Sequence, residues 1–194
     1  MQNIEQKSHQ DILNPPGGLM VWIFVFSELI VFGAALVTFI YQRSLNIELF
    51  HSSRMELNQV LATMNTILLI TSGFSIAMAT KYFDQGEKKK TMRSLAFGLL
   101  LGCSFLIIKF FEYKEKFSHG FSLGSNTFFD YYWILTAFHA LHIVLGIFIL
   151  ISIMFMVHKE LPFKEDDFNF HTGAIYWHMC DLIWVLIFPV IYLL

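Results

Sequence analysis

The sequence predicts an all-α integral membrane protein, in which a bundle of five transmembrane helices forms a single membrane domain. Hydrophobic residues make up 56% of the 194 residues and charged residues only 14%, whereas about a quarter of the residues of a soluble domain are charged. The mean hydropathy is +0.57. Five continuous apolar segments are each long enough to cross a bilayer, which takes about 20 apolar residues.

The five apolar segments define the predicted helices, which run approximately over residues 19–41, 60–82, 95–113, 131–157 and 173–194. Helices are predicted because a backbone in lipid must satisfy its own hydrogen bonds, and because no segment shows the in–out alternation of barrel strands. Polar residues, Gly and Pro separate the segments, as in Asp84-Gln85-Gly86 and Leu161-Pro162. Aromatic residues collect at the segment ends, where a belt at the membrane interface is expected. They are Tyr41, Tyr82, Tyr113, Tyr131, Tyr132, Trp133 and Tyr192.

The distribution of Lys and Arg predicts the orientation. Eight of them lie on the side shared by the N-terminal tail and the second and fourth loops, and four lie on the other side. The positive-inside rule then places residues 1–18, as a polar tail, in the cytoplasm and the C-terminus in the periplasm. The run Lys88-Lys89-Lys90 dominates this count and is interpreted as a topology signal, with a specific lipid or partner site as the alternative. The net charge of −2 argues against a nucleic-acid partner.

Ionisable residues within the predicted helices require an explanation, because charges at membrane depth are costly. Glu28 is flanked at four residues on either side by Phe24 and Phe32, and its carboxyl is expected to stay protonated unless a cation or water reaches it. Two interpretations stay open: a neutral acid that hydrogen-bonds a neighbouring helix, or a proton-linked group. Lys109 and Glu112 lie near the outer end of the third helix, where they can pair or extend towards the headgroups.

The fourth and fifth helices carry histidines at helical spacing. His139 and His142 are three residues apart on one helix, as are His178 and Asp181 on the next. Such groups could form a metal site or supply axial haem ligands. Pairs of this spacing also commonly form hydrogen bonds that join neighbouring helices, and this structural interpretation is favoured over metal or haem binding.

Small residues predict close helix packing, since lipid supplies no hydrophobic drive between helices. Gly98 and Gly102 form a G-x-x-x-G pattern in the third helix, and Asn65 and Ser72 lie on one stripe of the second. Gly146 continues the histidine face of the fourth helix. The sequence contains neither a C-x-x-C-H motif nor a P-loop, and no self-contained catalytic constellation is expected.

Five stretches, taken together and in order, have the pattern of a known family. They are Ser27-Glu28 with Phe32, Asn65-Thr66 with Ser72-Gly73-Phe74-Ser75, Phe111-Glu112-Tyr113, Phe138-His139-Ala140-Leu141-His142 with Gly146, and the segment from Tyr176 to Trp184. The last is close to a W-H-x-x-D-x-x-W pattern. Over residues 22–194 the sequence resembles subunit III of the haem-copper oxidases, in the five-helix form of bacterial quinol and cytochrome c oxidases.

The resemblance implies a subunit of the bacterial cytoplasmic membrane that carries no haem, copper or active site itself. Haem and copper would sit in subunits I and II, with subunit I the main contact, and phospholipid would bind in a cleft between helices. The subunit would support proton uptake and the stability of the complex. Glu28 matches the family's buried carboxylate in that cleft. Five further residues match polar positions that look structural, namely Glu112, His139, His142, His178 and Asp181.

Three alternatives remain open at this point. The C-terminal segment with Pro189 also resembles the subunit-III-like proteins associated with nitric oxide reductase. A self-contained metalloprotein or b-type cytochrome would use His139, His142 and His178. A proton-coupled carrier would be gated by Glu28, although no inverted repeat accompanies it.

Overall fold

The computed structural model describes residues 17–159 and 163–194, without the side chains of residues 163–168. The predicted tail therefore lies almost wholly outside the described residues. The described chain is helical throughout, with no strand. Its helices are α1 (Gly18–Leu45), α2 (Ile47–Met55), α3 (Gln59–Asp84), α4 (Lys88–Ser118), α5 (Thr127–Lys159) and α6 (Phe163–Phe188), and a π-helical turn, Pro189–Leu193, follows α6.

Five helices of the described chain are long and apolar enough to cross a membrane, which confirms the predicted five-span architecture. Most of them extend beyond the predicted apolar segments. Thus α4 includes Lys88-Lys89-Lys90 at its start and residues 114–118 at its end. Hydropathy marks only the part of a helix that lies in hydrocarbon, whereas the backbone continues to form hydrogen bonds through the polar ends.

The fifth predicted helix is shifted towards the N-terminus. It begins at Phe163 and not near residue 173, and its α-helical part ends at Phe188. Pro189 has no N–H to donate, and the chain continues as a π-helical turn in which the N–H of Leu194 donates to the Pro189 carbonyl at 3.0 Å.

Helix α2 occupies what the sequence predicts as a loop. It is short and mostly polar, so hydropathy does not detect it. Phe50 anchors it, because its ring lies 5.2 Å from that of Phe39 in α1 and 5.6 Å from that of Phe128 in α5. The helix therefore closes one end of the bundle.

The helices α3 and α4 form the most extensively paired hairpin, and α6 contacts α1, α3 and α5. The hairpin turns at Gly86, whose φ of 71° is accessible to glycine without strain. The core lies between α3, α4, α5 and α6, with Phe105, Trp177 and Trp184 fully buried. Helix α1 packs on α5 and α6 and is the most exposed of the five spans.

Candidate functional site in the buried polar groups

Glu28 of α1 and His142 of α5 face each other within the membrane-spanning region. The Oε2 atom of Glu28 lies 3.4 Å from Nε2 of His142, an ion-pair distance rather than a well-formed hydrogen bond. The Nδ1 atom of His142 lies 2.8 Å from the carbonyl oxygen of Phe138. A carbonyl only accepts, so Nδ1 carries a hydrogen, and in the neutral ring Nε2 is an acceptor. Attraction between the two side chains therefore requires one proton, held either by Glu28 or by Nε2.

Aromatic rings surround this pair. The ring of Phe32 lies 5.8 Å from the His142 imidazole, and Phe24 stacks on Tyr176 at 6.1 Å. The side chain of Glu28 is 16% exposed and that of His142 is 7% exposed. The Glu28 side chain is thus partly exposed at the surface of the chain, whereas the histidine is enclosed.

His139 lies in the same helix as His142 but points into the core. Its ring stacks on Trp184 at 5.1 Å and meets the edge of Phe105 at 5.8 Å. The side chain is fully buried, and neither ring nitrogen has a hydrogen-bond partner. The structure therefore separates the two histidines that the sequence places on one face.

His178 and Asp181 of α6 lie near each other, with Nδ1 of His178 3.7 Å from Oδ2 of Asp181. His178 is 43% exposed, whereas Asp181 is 14% exposed and lies against Gly73 of α3. A side chain at position 73 would collide with the carboxyl. The pair therefore joins α6 to α3 through a small-residue contact.

No group of three or more His, Cys, Asp or Glu residues converges into a metal-binding cluster within residues 17–159 and 163–194, apart from the side chains of residues 163–168. His142 is directed to Glu28, His139 to Trp184 and His178 to Asp181. These three histidines thus have separate partners in the structure.

A second polar network is fully buried between α4, α5 and the π-helical turn. Lys109 contacts Glu112 at 3.1 Å and also donates to the hydroxyl of Tyr192. Glu112 accepts hydrogen bonds from Tyr132 at 2.8 Å and from Tyr192 at 2.6 Å. The Lys109 ammonium lies 4.8 Å from the Trp184 ring centroid. Lys109 and Glu112 therefore pair inside the bundle and do not extend towards the headgroups.

The sequence pattern does not reveal this network, because Tyr132 and Tyr192 lie at segment ends and are assigned to the interfacial belt. That assignment is wrong for both residues, which are fully buried. A buried carboxylate needs donors for its remaining lone pairs, and tyrosines at the ends of neighbouring helices are suitable donors.

The predicted packing residues lie at helix contacts. Ser72 donates to the Gly98 carbonyl at 2.7 Å, and Asn65 donates to the Phe105 carbonyl at 3.4 Å. These bonds join α3 to α4. A Cβ atom at Gly102 would lie 2.5 Å from Trp177, and one at Gly146 would lie 2.9 Å from the same ring. The indole of α6 thus fills the space that these two glycines leave.

Three side chains bind the carbonyls that follow α6. Arg43 donates to Leu194 at 2.6 Å, Arg54 donates to Leu193 at 2.6 Å, and Gln59 donates to Tyr192 at 3.0 Å. We call this the C-terminal clasp. In the sequence both arginines count only as orientation signals on the less basic side, because the pattern of one helix does not show which groups bind a distant helix end.

Comparison with known proteins identifies the family. The family model described as cytochrome c oxidase subunit III matches residues 8–194, which include all five spans. The chain belongs to the cytochrome c oxidase subunit III family. Membership implies association with other oxidase subunits, and the five apolar helices make the chain a multi-pass membrane protein.

Curated relatives agree with this assignment. The chain is 28% identical to the quinol oxidase subunit 3 of Bacillus spizizenii, over 89% of this chain and 84% of that protein. It is 29% identical to the cytochrome c oxidase subunit 3 of Thermostichus vulcanus, over 91% and 86%. It is 24% identical to the cytochrome bo(3) ubiquinol oxidase subunit 3 of Buchnera aphidicola, over 98% and 93%. All three are oxidase subunits, so the nitric-oxide-reductase branch is not favoured.

Proposed function

We propose that the chain is the non-catalytic subunit III of a bacterial respiratory haem-copper terminal oxidase, in the cytoplasmic membrane. The complex reduces oxygen to water and pumps protons, with haem and copper in subunits I and II, and this chain packs mainly on subunit I. The observation that carries the proposal is the family match over residues 8–194. The buried polar groups agree with it, because their contacts join the helices of this chain.

Co-purification tests the assembly. The full-length chain, tagged and extracted from its native membrane in mild detergent, is expected to bring down a haem-bearing chain in constant ratio. The isolated complex should consume oxygen. Recovery of the chain with no haem protein, or with a complex that reduces nitric oxide and not oxygen, would contradict the proposal.

The Glu28–His142 pair supports a further part of the proposal, a role in proton uptake and in binding phospholipid near α1. The two groups lie 3.4 Å apart, close enough to share a proton, and the Glu28 side chain is partly exposed. A group of this kind can exchange protons without leaving a bare charge in hydrocarbon. Phospholipid acyl chains would cover the aromatic rings beside it.

Substitution at the carboxyl separates this role from a packing role. In the intact oxidase, Glu28→Gln keeps the shape of the side chain but removes the titrating group, and we expect slower proton uptake and earlier loss of activity during turnover. Glu48→Gln, at an exposed glutamate of α2, is the matched control. Equal rates of proton uptake and equal loss of activity during turnover in the two variants would show that Glu28 contributes only to packing.

A further inference from the structure

A groove of about 210 Å³ lies on the bundle surface between α3 and α4, away from the Glu28–His142 pair at the α1–α5 contact. Its walls are the side chains of Phe74, Met78, Tyr82 and Phe97. At its base the hydroxyl of Ser75 donates to the Ser94 carbonyl at 2.8 Å, so these polar groups are already satisfied. An apolar ligand in the groove would therefore leave the Ser75 hydroxyl and the Ser94 carbonyl hydrogen-bonded to each other.

One end of the groove is basic. Arg93 precedes Phe97 by four residues on α4, and Lys81 follows Met78 by three residues on α3, so helical spacing places both cations beyond the same end. Lys90 lies there too, with its ammonium 5.4 Å from the ring centroid of Tyr82.

The local acids do not cancel this charge. Glu87 pairs with Lys90 at 2.5 Å, and Asp84 lies 3.2 Å from His171. Within the described part of the chain, Lys81 and Arg93 are exposed and have no carboxylate partner. The basic end of the groove thus has uncompensated positive charge beside the α3–α4 turn.

We propose that this groove binds one acyl chain of an anionic phospholipid, whose phosphate is held by Arg93 and Lys81. From Thr71 to Tyr82 the groove follows twelve residues of α3, which rise by about 16 Å along the helix. One leaflet of a hydrocarbon core about 30 Å thick has nearly the same depth. A protein helix, about 10 Å across, is too thick for a groove of this volume. The site needs only the membrane setting and does not depend on the oxidase assembly.

Site-specific photo-cross-linking tests the proposal. Phe97 is replaced by benzoylphenylalanine in the full-length chain, which is purified with whatever subunits accompany it. The preparation is placed in vesicles of equal parts phosphatidylglycerol and phosphatidylethanolamine with the same acyl chains, and the adducts are identified by mass spectrometry. We expect phosphatidylglycerol adducts to exceed phosphatidylethanolamine adducts by about thirtyfold, since each of the two basic residues near the surface contributes about fivefold.

Variants at the basic end show whether charge sets this preference. Lys81→Gln with Arg93→Gln should reduce the adduct ratio by about thirtyfold, to near equality. Lys114→Gln, at an exposed cation of the opposite end of α4, should leave the ratio unchanged. Equal capture of the two lipids by the chain with native cations, adducts with protein only, or no lipid adduct would each overturn the proposal. Because the cross-link is read on whatever preparation is obtained, failure of the assembly proposal would not produce any of these results.

Discussion

Lys109 and Glu112 show how single residues can be charged or polar inside a membrane bundle. Each group meets several partners: the ammonium contacts a carboxylate, a hydroxyl and an indole face, and the carboxylate accepts from two tyrosines. With these contacts the polar groups do not face hydrocarbon, where each unsatisfied group costs several kcal/mol. The network therefore stabilises the junction of α4, α5 and the π-helical turn.

Removing one member of the buried pair should be strongly destabilising. Lys109→Met leaves Glu112 without its cation, and we expect a loss of about 3 to 5 kcal/mol in the free energy of unfolding of the membrane domain. Unfolding in mixed micelles by a denaturing detergent, followed by circular dichroism, measures it. Lys114→Met, at an exposed position of the same helix, is the control and should change little.

The double variant checks that the cause is an unpaired charge. Lys109→Met with Glu112→Gln has no buried charge, so its loss should be smaller than the sum of the two single losses. Additive losses would show that the pair is not coupled.

Chemical labelling tests the state of Glu28. A hydrophobic carbodiimide reacts with protonated carboxyls that are accessible from lipid. Glu28 is 16% exposed and lies beside His142. We expect label on Glu28 in the intact complex and none on Glu112, whose side chain is fully enclosed. Mass spectrometry of proteolytic fragments locates the label. An unlabelled Glu28 together with labelled carboxylates elsewhere would count against a protonated, lipid-accessible group.

At the scale of elements, small residues set the distance between helices. A Cβ at Gly102 would meet Trp177, whereas one at Gly33 of α1 would meet nothing within 4 Å. Gly102→Ala should therefore destabilise by about 1 to 3 kcal/mol through overpacking. Gly33→Ala should be neutral or stabilising, because it only removes the conformational freedom of a helical glycine. Thermal unfolding of the two variants in detergent gives the comparison, and equal melting temperatures would refute the close contact.

The C-terminal clasp should control the order of the π-helical turn. Arg54→Gln removes the donor to Leu193, and we expect the backbone amides of residues 190–194 to exchange hydrogen several-fold faster. Hydrogen-exchange mass spectrometry of the intact complex measures this, with Lys114→Gln as a control that keeps the clasp. Unchanged protection in Arg54→Gln would mean that packing of Ile191 and Tyr192 alone holds the turn.

The elements differ in how far the sequence predicts them. The five spans follow from hydropathy, because crossing a membrane demands a long apolar run. Helix α2 does not follow, since its helical state depends on Phe50 packing against two other helices. The polar ends of α4 are missed for a different reason: hydropathy describes the solvent around a helix and not its hydrogen bonds.

The candidate site is only partly predictable for a related reason. Spacing places His139 and His142 on one face, but helix crossing decides that one meets Trp184 and the other meets Glu28. Likewise, sequence position puts Tyr192 at the membrane interface, and the π-helical turn brings its hydroxyl to Glu112. Partners from distant helices are set by the packed bundle and not by local pattern.

At the scale of the whole molecule, the bundle has an interior of aromatic rings, paired polar groups and close glycine contacts, and an outer surface that is largely apolar. Helix α1 is the most exposed span and carries Glu28 near its middle. The arrangement fits a subunit whose inward groups hold its own helices together while its outer faces meet lipid and other subunits. Oxygen chemistry would then belong to its partners.

The most direct test of this account is an optical spectrum of the full-length chain after separation from its partners. We expect no haem absorbance in the dithionite-reduced sample of this chain, and all of the haem absorbance in the fraction that holds the partner subunits. A stoichiometric Soret band on this chain, lost in His139→Leu or His142→Leu, would contradict the central claim. That claim is that the intramembrane polar groups stabilise the bundle and exchange protons but bind no redox cofactor.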